Sequence, residues 1–308
     1  MAELSGILYL DAEKIKNLGE DSLTYRFGTD GNGYMFVFDG CGGAGSEKHS
    51  GLDGHKSAYV ASRSCAMLLD KLCGESFEFP DNPEKTFFSF LKKINEVYPM
   101  ETSRSTLVDI LPTTISGTFI RNDGDFLDID FIWAGDSRGY IIDADGLGQV
   151  TEDDVVSEDA YRNLFDDSVM TNRLHGNPDK KLFTIHSAKV RHNGKCIIIC
   201  ATDGCYDYFN SPMVFEFFLI TMIFTSGSFT EAERKLLEIL NEKSGDDCSL
   251  IAVFYGFNDY QEIRDFLRER FIALDGDKNI FSESYWNDSY KQNYYRFNQA
   301  RSETSGNN

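Results

Sequence analysis

The stretch FVFDGCGGAGSEKHSGLDGHK (residues 36–56) runs an apolar segment straight into a glycine-rich loop, and the carboxylate of Asp39 falls where the hydrophobic residues stop. Taken alone, Asp-Gly at a strand end is ordinary turn chemistry. Three further carboxylates repeat the placement. Asp136 follows FIWAG, Asp203 follows IIICAT, and Asp246 precedes CSLIAVFY, each beside a glycine. Four such strand ends brought together would set negative charges against one another, and cations would be needed between them. An oxygen-only donor set of this kind suits magnesium or manganese rather than zinc or copper.

The strands themselves are read from β-branched and aromatic content: 34–38, 113–120, 126–134, 139–143, 195–201 and 248–255. DADG at 143–146 is hairpin chemistry. Helical spacing joins Ala61, Cys65, Leu68 and Leu72, with Gly74 as a stop. Pro83 opens a second helix with Phe87, Leu91 and Ile94 on one face, and Ser211-Pro212 opens a third. Thr230 with Glu233, and Asn258 with Gln261, are capping-box patterns for two more. Strands in hairpin-like runs separated by helix pairs predict antiparallel sheets covered by helices, not a parallel βαβ fold. The polar stretch Ser157–Lys181 is expected to be a surface flap, and 257–308 a C-terminal extension of a domain spanning 1–256.

Composition narrows the function. A chain of 308 residues with a hydrophobic fraction of 41% can bury a large core, and a formal charge of −20 argues against nucleic acid or an anionic membrane as partner. Seven cysteines without a C-x-x-C pair, two of them (Cys196 and Cys200) inside an apolar run, predict reduced core thiols. MVFEFFLITMIF (213–224) is too short to span a bilayer and carries Glu216. No secretory segment is evident at the N-terminus, so a cytoplasmic protein is expected.

In order, NLGEDS (17–22), FVFDGCGG (36–43), PTTISGTFI (112–120), WAGDSRGYII (133–142), VTEDD (150–154), CATDGCYDYF (200–209) and DDCSLIAVF (246–254) make the chain resemble the PP2C-type (PPM family) metal-dependent serine/threonine protein phosphatases, bacterial members included. The resemblance covers roughly residues 10–255. It implies an α+β fold, a four-layer αββα sandwich of two antiparallel sheets flanked by helices, with two divalent ions, Mn2+ or Mg2+, in a cleft at one end. It implies that Asp39 bridges both ions, with the Gly40 carbonyl and Glu20 on one and Asp203 and Asp246 on the other. Asp21 would hold coordinated water, and Asp136, Asp203 and Asp207 match a third, weaker site. The implied reaction is in-line hydrolysis of phosphoserine and phosphothreonine by metal-activated water, without a phosphoenzyme. The implied partners are a phosphoprotein substrate and, by extension, a cognate serine/threonine kinase.

Two positions depart from the family pattern. Lys16 stands where an arginine commonly forks onto phosphate, which keeps the charge and loses the bidentate geometry. Cys41 stands where eukaryotic members often have a histidine. These departures motivate the alternative of a pseudophosphatase acting as a binding module; the retained carboxylates oppose it. His55, His175, Lys48 and His49 are weaker candidates for substrate contact. Arg138 is expected to partner nearby carboxylates, and Trp133, Thr113 and Thr114 to lie in the core.

Overall fold

The computed structural model describes residues 3–74, 77–101, 108–157, 159–164, 169–278, 280 and 282–298. Its strands are β1 (Leu4–Ala12), β2 (Ser22–Phe27), β3 (Gly33–Phe38), β4 (Ile115–Asp123), β5 (Phe126–Ala134), β6 (Arg138–Asp143), β7 (Gly146–Gln149), β8 (His186–Asn193), β9 (Cys196–Ala201) and β10 (Cys248–Tyr255). The long helices are α1 (Ser57–Cys73), α2 (Pro83–Val97), α3 (Pro212–Phe224), α4 (Phe229–Lys243) and α5 (Tyr260–Gly276).

The central strands are apolar on both faces because each face has a different cover. In β3, Tyr34, Phe36 and Phe38 pack outward with α1 and α2, while Met35 and Val37 pack inward on the opposite sheet. In β9 the inward set is Cys196, Ile198 and Cys200, and the outward set is Ile197, Ile199 and Ala201, under the helices of the other side. Three apolar layers therefore separate four structural ones, and the fold is the αββα sandwich. The sheets are ordered β1-β10-β9-β6-β7 and β2-β3-β4-β5-β8, and their pairings are antiparallel.

Register decides what meets at the end of the sandwich. Ala12 pairs with Cys248, Leu250 with Ala201, and Arg138 with Ala201 in one sheet. Ser22 pairs with Phe38, Val37 with Ser116, and Ile115 with Ala134 in the other. The segments carrying Asp21, Asp39, Asp136, Asp203 and Asp246 all leave the sheets at this one end.

Several local expectations shift. The buried stripe of α1 is Ala58, Ala61, Cys65, Leu69 and Cys73, and Leu72 is exposed, since the helix turns its seam one residue from the Leu68/Leu72 line. The cap of α4 is Ser228, which accepts the Glu231 N–H while Glu231 accepts that of Gly227; Glu233 instead accepts the Tyr9 N–H. The cap of α5 is Asp259, accepting the Glu262 N–H, with Asn258 just outside. The 157–181 stretch, where described, is fastened: Ala160, Tyr161, Leu174 and His175 are buried. The seven cysteines are free thiols.

The segment after Tyr255 shares a core with the rest. Ile263, Leu267, Leu274, Trp286, Tyr290 and Tyr294 join the cluster beneath α3 and α4. Glu216, fully buried in the largely apolar α3, accepts two bonds from Arg270 (2.8 and 2.7 Å), one from Tyr290 Oη (2.5 Å) and one from the Leu147 N–H (2.9 Å). A buried carboxylate is tolerable only when its lone pairs are satisfied in this way. Among the described residues, no helix is long and apolar enough to cross a membrane.

Candidate metal centre

Asp39 is held by its backbone, which leaves its carboxylate free. Its N–H donates to Thr114 Oγ1 (3.0 Å), and its carbonyl accepts Thr113 Oγ1 (2.7 Å) and the Thr114 N–H (2.8 Å). Gly40 follows because nothing larger fits: a Cβ there would sit 2.6 Å from the carbonyl oxygens of Ala58 and Glu20.

Asp136 occupies the tight link between β5 and β6. Gly135, at φ +102°, donates its N–H to Asp154 Oδ2 (2.9 Å), and the Asp154 N–H returns to the Gly135 carbonyl (3.0 Å). Tyr206 Oη donates to the Asp136 carbonyl (2.6 Å). Next door, the buried Arg138 forks onto Asp153 (3.0 and 2.6 Å) and stacks 3.9 Å over the Tyr206 ring, the structural partnership expected of it. The two aspartates of VTEDD thus brace the link that carries Asp136.

Asp203 begins a short 3-10 turn after β9, where the Asp207 N–H donates to its carbonyl (2.9 Å), so both carboxylates leave one turn. Asp21 is buried and accepts Thr202 Oγ1 (2.7 Å). Asp246 is exposed on the rim, whereas the adjacent Asp247 is buried and accepts the N–H groups of Lys14 (2.7 Å) and Glu20 (2.6 Å), pinning the loop before β2.

The result is one acidic cluster. Carboxylate oxygens of Asp39, Asp136 and Asp203 lie within 4.8 Å of one another. Burial, then mutual repulsion, raises these carboxyl groups above the ordinary carboxylate range. Asp39 is pushed well up by desolvation and by Asp203, Asp21 and Asp136. Asp136 is pushed up to about 7 by desolvation, Asp153 and Asp207, and Asp203 to about 8 by desolvation, Asp136 and Asp246. Asp21 moves the same way. Asp136 Oδ1 is buried without a partner among the described residues. Oxygen donors with unspent lone pairs, crowded until they repel, are the donor set of a hard divalent cation.

Other candidates lie around this cluster or away from it. The Glu20 carboxylate rests against Gly42, where any Cβ would strike its Oε2, and it pairs with Lys56 Nζ (2.7 Å). Lys16 is exposed and has no side-chain partner among the described residues. A cleft of about 380 Å³ beside Glu20 and Asp246 is lined by Lys14, Lys48, Lys56 and the stacked rings of His55 and Tyr59. His49 is a structural residue rather than a substrate contact, buried between the Tyr98 carbonyl (2.6 Å) and Ser57 Oγ (3.0 Å). His175 is likewise tied to the Lys181 carbonyl (3.1 Å) and the Asn177 N–H (3.2 Å). Burial and the neighbouring Asp39 push the Cys41 thiol well up, away from thiolate chemistry, against a smaller opposing pull from Arg173. The braces Thr113, Thr114, Asp153, Asp154 and Asp247 lie within the motifs PTTISGTFI, VTEDD and DDCSLIAVF, but nothing in the sequence assigned them a bracing role, because the groups they hold are remote in the chain.

No family model and no curated protein matches the sequence. Solved structures do match the fold. The serine/threonine phosphatase Stp1 from Staphylococcus aureus is 14% identical, with 82% of this chain and 96% of that one covered at a TM-score of 0.55. The S. agalactiae serine/threonine phosphatase is 16% identical, with coverage of 82% and 99% and a TM-score of 0.56. The Mycobacterium tuberculosis serine/threonine phosphatase PstP/Ppp is 17% identical, with coverage of 82% and 99% and a TM-score of 0.53.

Proposed function

We propose that this chain, which has the fold of the bacterial serine/threonine phosphatases, is a PP2C-type metal-dependent phosphatase acting on phosphoserine and phosphothreonine in proteins. The observation that carries the reading is the convergence of Asp39, Asp136 and Asp203 within 4.8 Å at the end of the sandwich. Manganese or magnesium fits these oxygen donors. Asp39 would be the shared ligand, with the Gly40 carbonyl and Glu20 on one side and Asp203 and Asp246 on the other. Asp136 and Asp207 would complete a third site with Asp203.

Bound ions would supply Lewis-acid charge and lower the pKa of water. The chain's own residues do the remaining work. Thr113, Thr114 and the Asp154 brace fix the main chain that carries Asp39 and Asp136 before substrate arrives, which limits reorganisation during reaction. Asp21, buried and bonded to Thr202, would orient a water beside the cluster. Lys16, without a side-chain partner among the described residues, is the cation proposed to meet the phosphoryl oxygens. A serine/threonine kinase whose product this chain dephosphorylates is the proposed functional partner.

The test is hydrolysis of an aryl phosphate with manganese by wild type, Asp39→Asn and a chelated sample. Activity confined to the metal-loaded wild type is expected. Equal slowness in all three would sink the enzyme reading.

A further inference from the structure

A second groove, about 570 Å³, is lined by Asp109, Asp154, Arg173, Lys180, Lys181, Phe183 and their neighbours. We propose that it is a second anion subsite of the substrate cleft, taking a carboxylate or phosphoryl group that flanks the phosphorylated residue. This rests on the phosphatase reading and names its substrate class: acidic or multiply phosphorylated segments.

The groove is built into the site. Thr113, whose hydroxyl holds the Asp39 carbonyl, pairs through its backbone with Leu174 (3.1 and 2.9 Å) and bridges to Gly40. The Asp109 N–H donates to the Ala44 carbonyl, in the same glycine-rich loop (2.8 Å). Arg173 therefore lies two backbone spacings from the Asp39–Gly40 turn, about 10 Å away. That distance matches about three residues of an extended peptide.

Its positive charge is only partly neutralised. Asp109, with a side chain 1% exposed, takes both Arg173 Nη2 (3.3 Å) and Lys180 Nζ (2.8 Å). One carboxylate neutralises one of these two cations, and Lys181 is exposed beside them without a side-chain partner among the described residues. Arg173 Nε is buried and unpaired there. Asp154, across the groove, is already occupied by the Gly135 N–H, Asn172 and His186. With the histidines neutral, Arg173, Lys180 and Lys181 exceed the groove's two carboxylates, Asp109 and Asp154, by one charge, on a chain whose formal charge is −20. A guanidinium anchored on one side by a buried carboxylate is preorganised to accept a second oxyanion on the other.

The test uses four fluorescein-labelled phosphoserine peptides of equal length. One has neutral flanks, one has glutamates before the phosphoserine, one has glutamates after it, and one has a second phosphoserine three residues away. Wild type is expected to bind at least one anionic peptide about tenfold tighter than the neutral one by anisotropy in chelator, where nothing turns over. It is expected to show a matching gain in kcat/KM with manganese. The glutamate and phosphoserine arms identify which anion fits. The gain is expected to collapse in Arg173→Ala and to shrink with added salt. Lys181→Glu, on an exposed side chain, is expected to reduce it as well and stands in if Arg173→Ala does not fold. Equal binding of all four peptides by wild type, or a preference that survives both variants, overturns the subsite. Failure to hydrolyse the neutral peptide with manganese would instead overturn the phosphatase reading, and the anisotropy series would still decide the groove.

Discussion

Thr113 Oγ1 donates to the carbonyl oxygen of Asp39 at 2.7 Å, and the backbone N–H of the next residue, Thr114, donates to the same oxygen at 2.8 Å. The aspartate is aimed by its main chain, so its carboxylate stays available. Thr113→Val keeps the shape and removes the buried donor. It is expected to cost about 1–2 kcal/mol of stability and to weaken manganese binding by about tenfold, read by thermal melting and calorimetry. Unchanged metal affinity would show that the threonine serves the fold alone.

The acidic cluster sets a pH dependence with a definite sign. In the metal-free protein, Asp136 and Asp203 rise from 3.8 to about 7 and about 8. The folded state then binds protons that the unfolded chain has released, so this contribution to stability falls as pH climbs from about 4 to about 8. Asp136→Asn is expected to raise the metal-free Tm at pH 8 by several degrees, on the order of 2 kcal/mol, and to do little below about pH 4. Saturating manganese should erase or reverse the advantage. A variant no more stable than wild type at pH 8 would mean that the carboxylates do not repel as their geometry implies.

Lys16 offers a gain-of-function test. Lys16→Arg restores a forked donor and is expected to lower KM for a phosphopeptide by a few-fold, while Lys16→Ala raises it. Its exposure predicts no change in Tm for either, so a kinetic effect would report substrate contact.

The C-terminal segment is a structural lid on α3. Arg270→Leu leaves Glu216 buried with its principal counter-charge gone, and is expected to cost about 3–5 kcal/mol in urea unfolding. A chain ended at Gly256 is expected to be insoluble, because Phe218, Leu219 and Ile223 of α3 lose part of their cover. A soluble, active 1–256 fragment would overturn this view of the extension.

Gly40→Ala tests the close approach at the DG turn. The added Cβ meets two backbone oxygens at 2.6 Å, and neither can swing away as a flexible side chain could. Loss of manganese binding with largely retained circular dichroism is the expected outcome.

The sequence by itself determined the central strands, the helix pairs and the strand-end carboxylates, because those features are local: apolar runs, 3.6-residue spacing and Asp-Gly turns. The four strands it left unread are β1, β2, β7 and β8, and these are the four sheet edges. β1, β2 and β8 are partly solvated, so segments such as SLTYRF and HSAKVRHN lack the continuous apolar signal of the centre, while β7 (GLGQ) is buried but too short and glycine-rich to read as a strand. The tertiary structure likewise decided which carboxylates meet. Antiparallel register brought Asp39, Asp136 and Asp203 within 4.8 Å, placed Asp246 on the rim and set Asp247 to work on the Lys14–Glu20 backbone. It also gave Arg173 its place beside the Asp39 loop, through a Leu174–Thr113 pairing about sixty residues apart in sequence. Spacing along a chain names the candidate ligands; distances between chain-remote groups exist only once the sheets have closed.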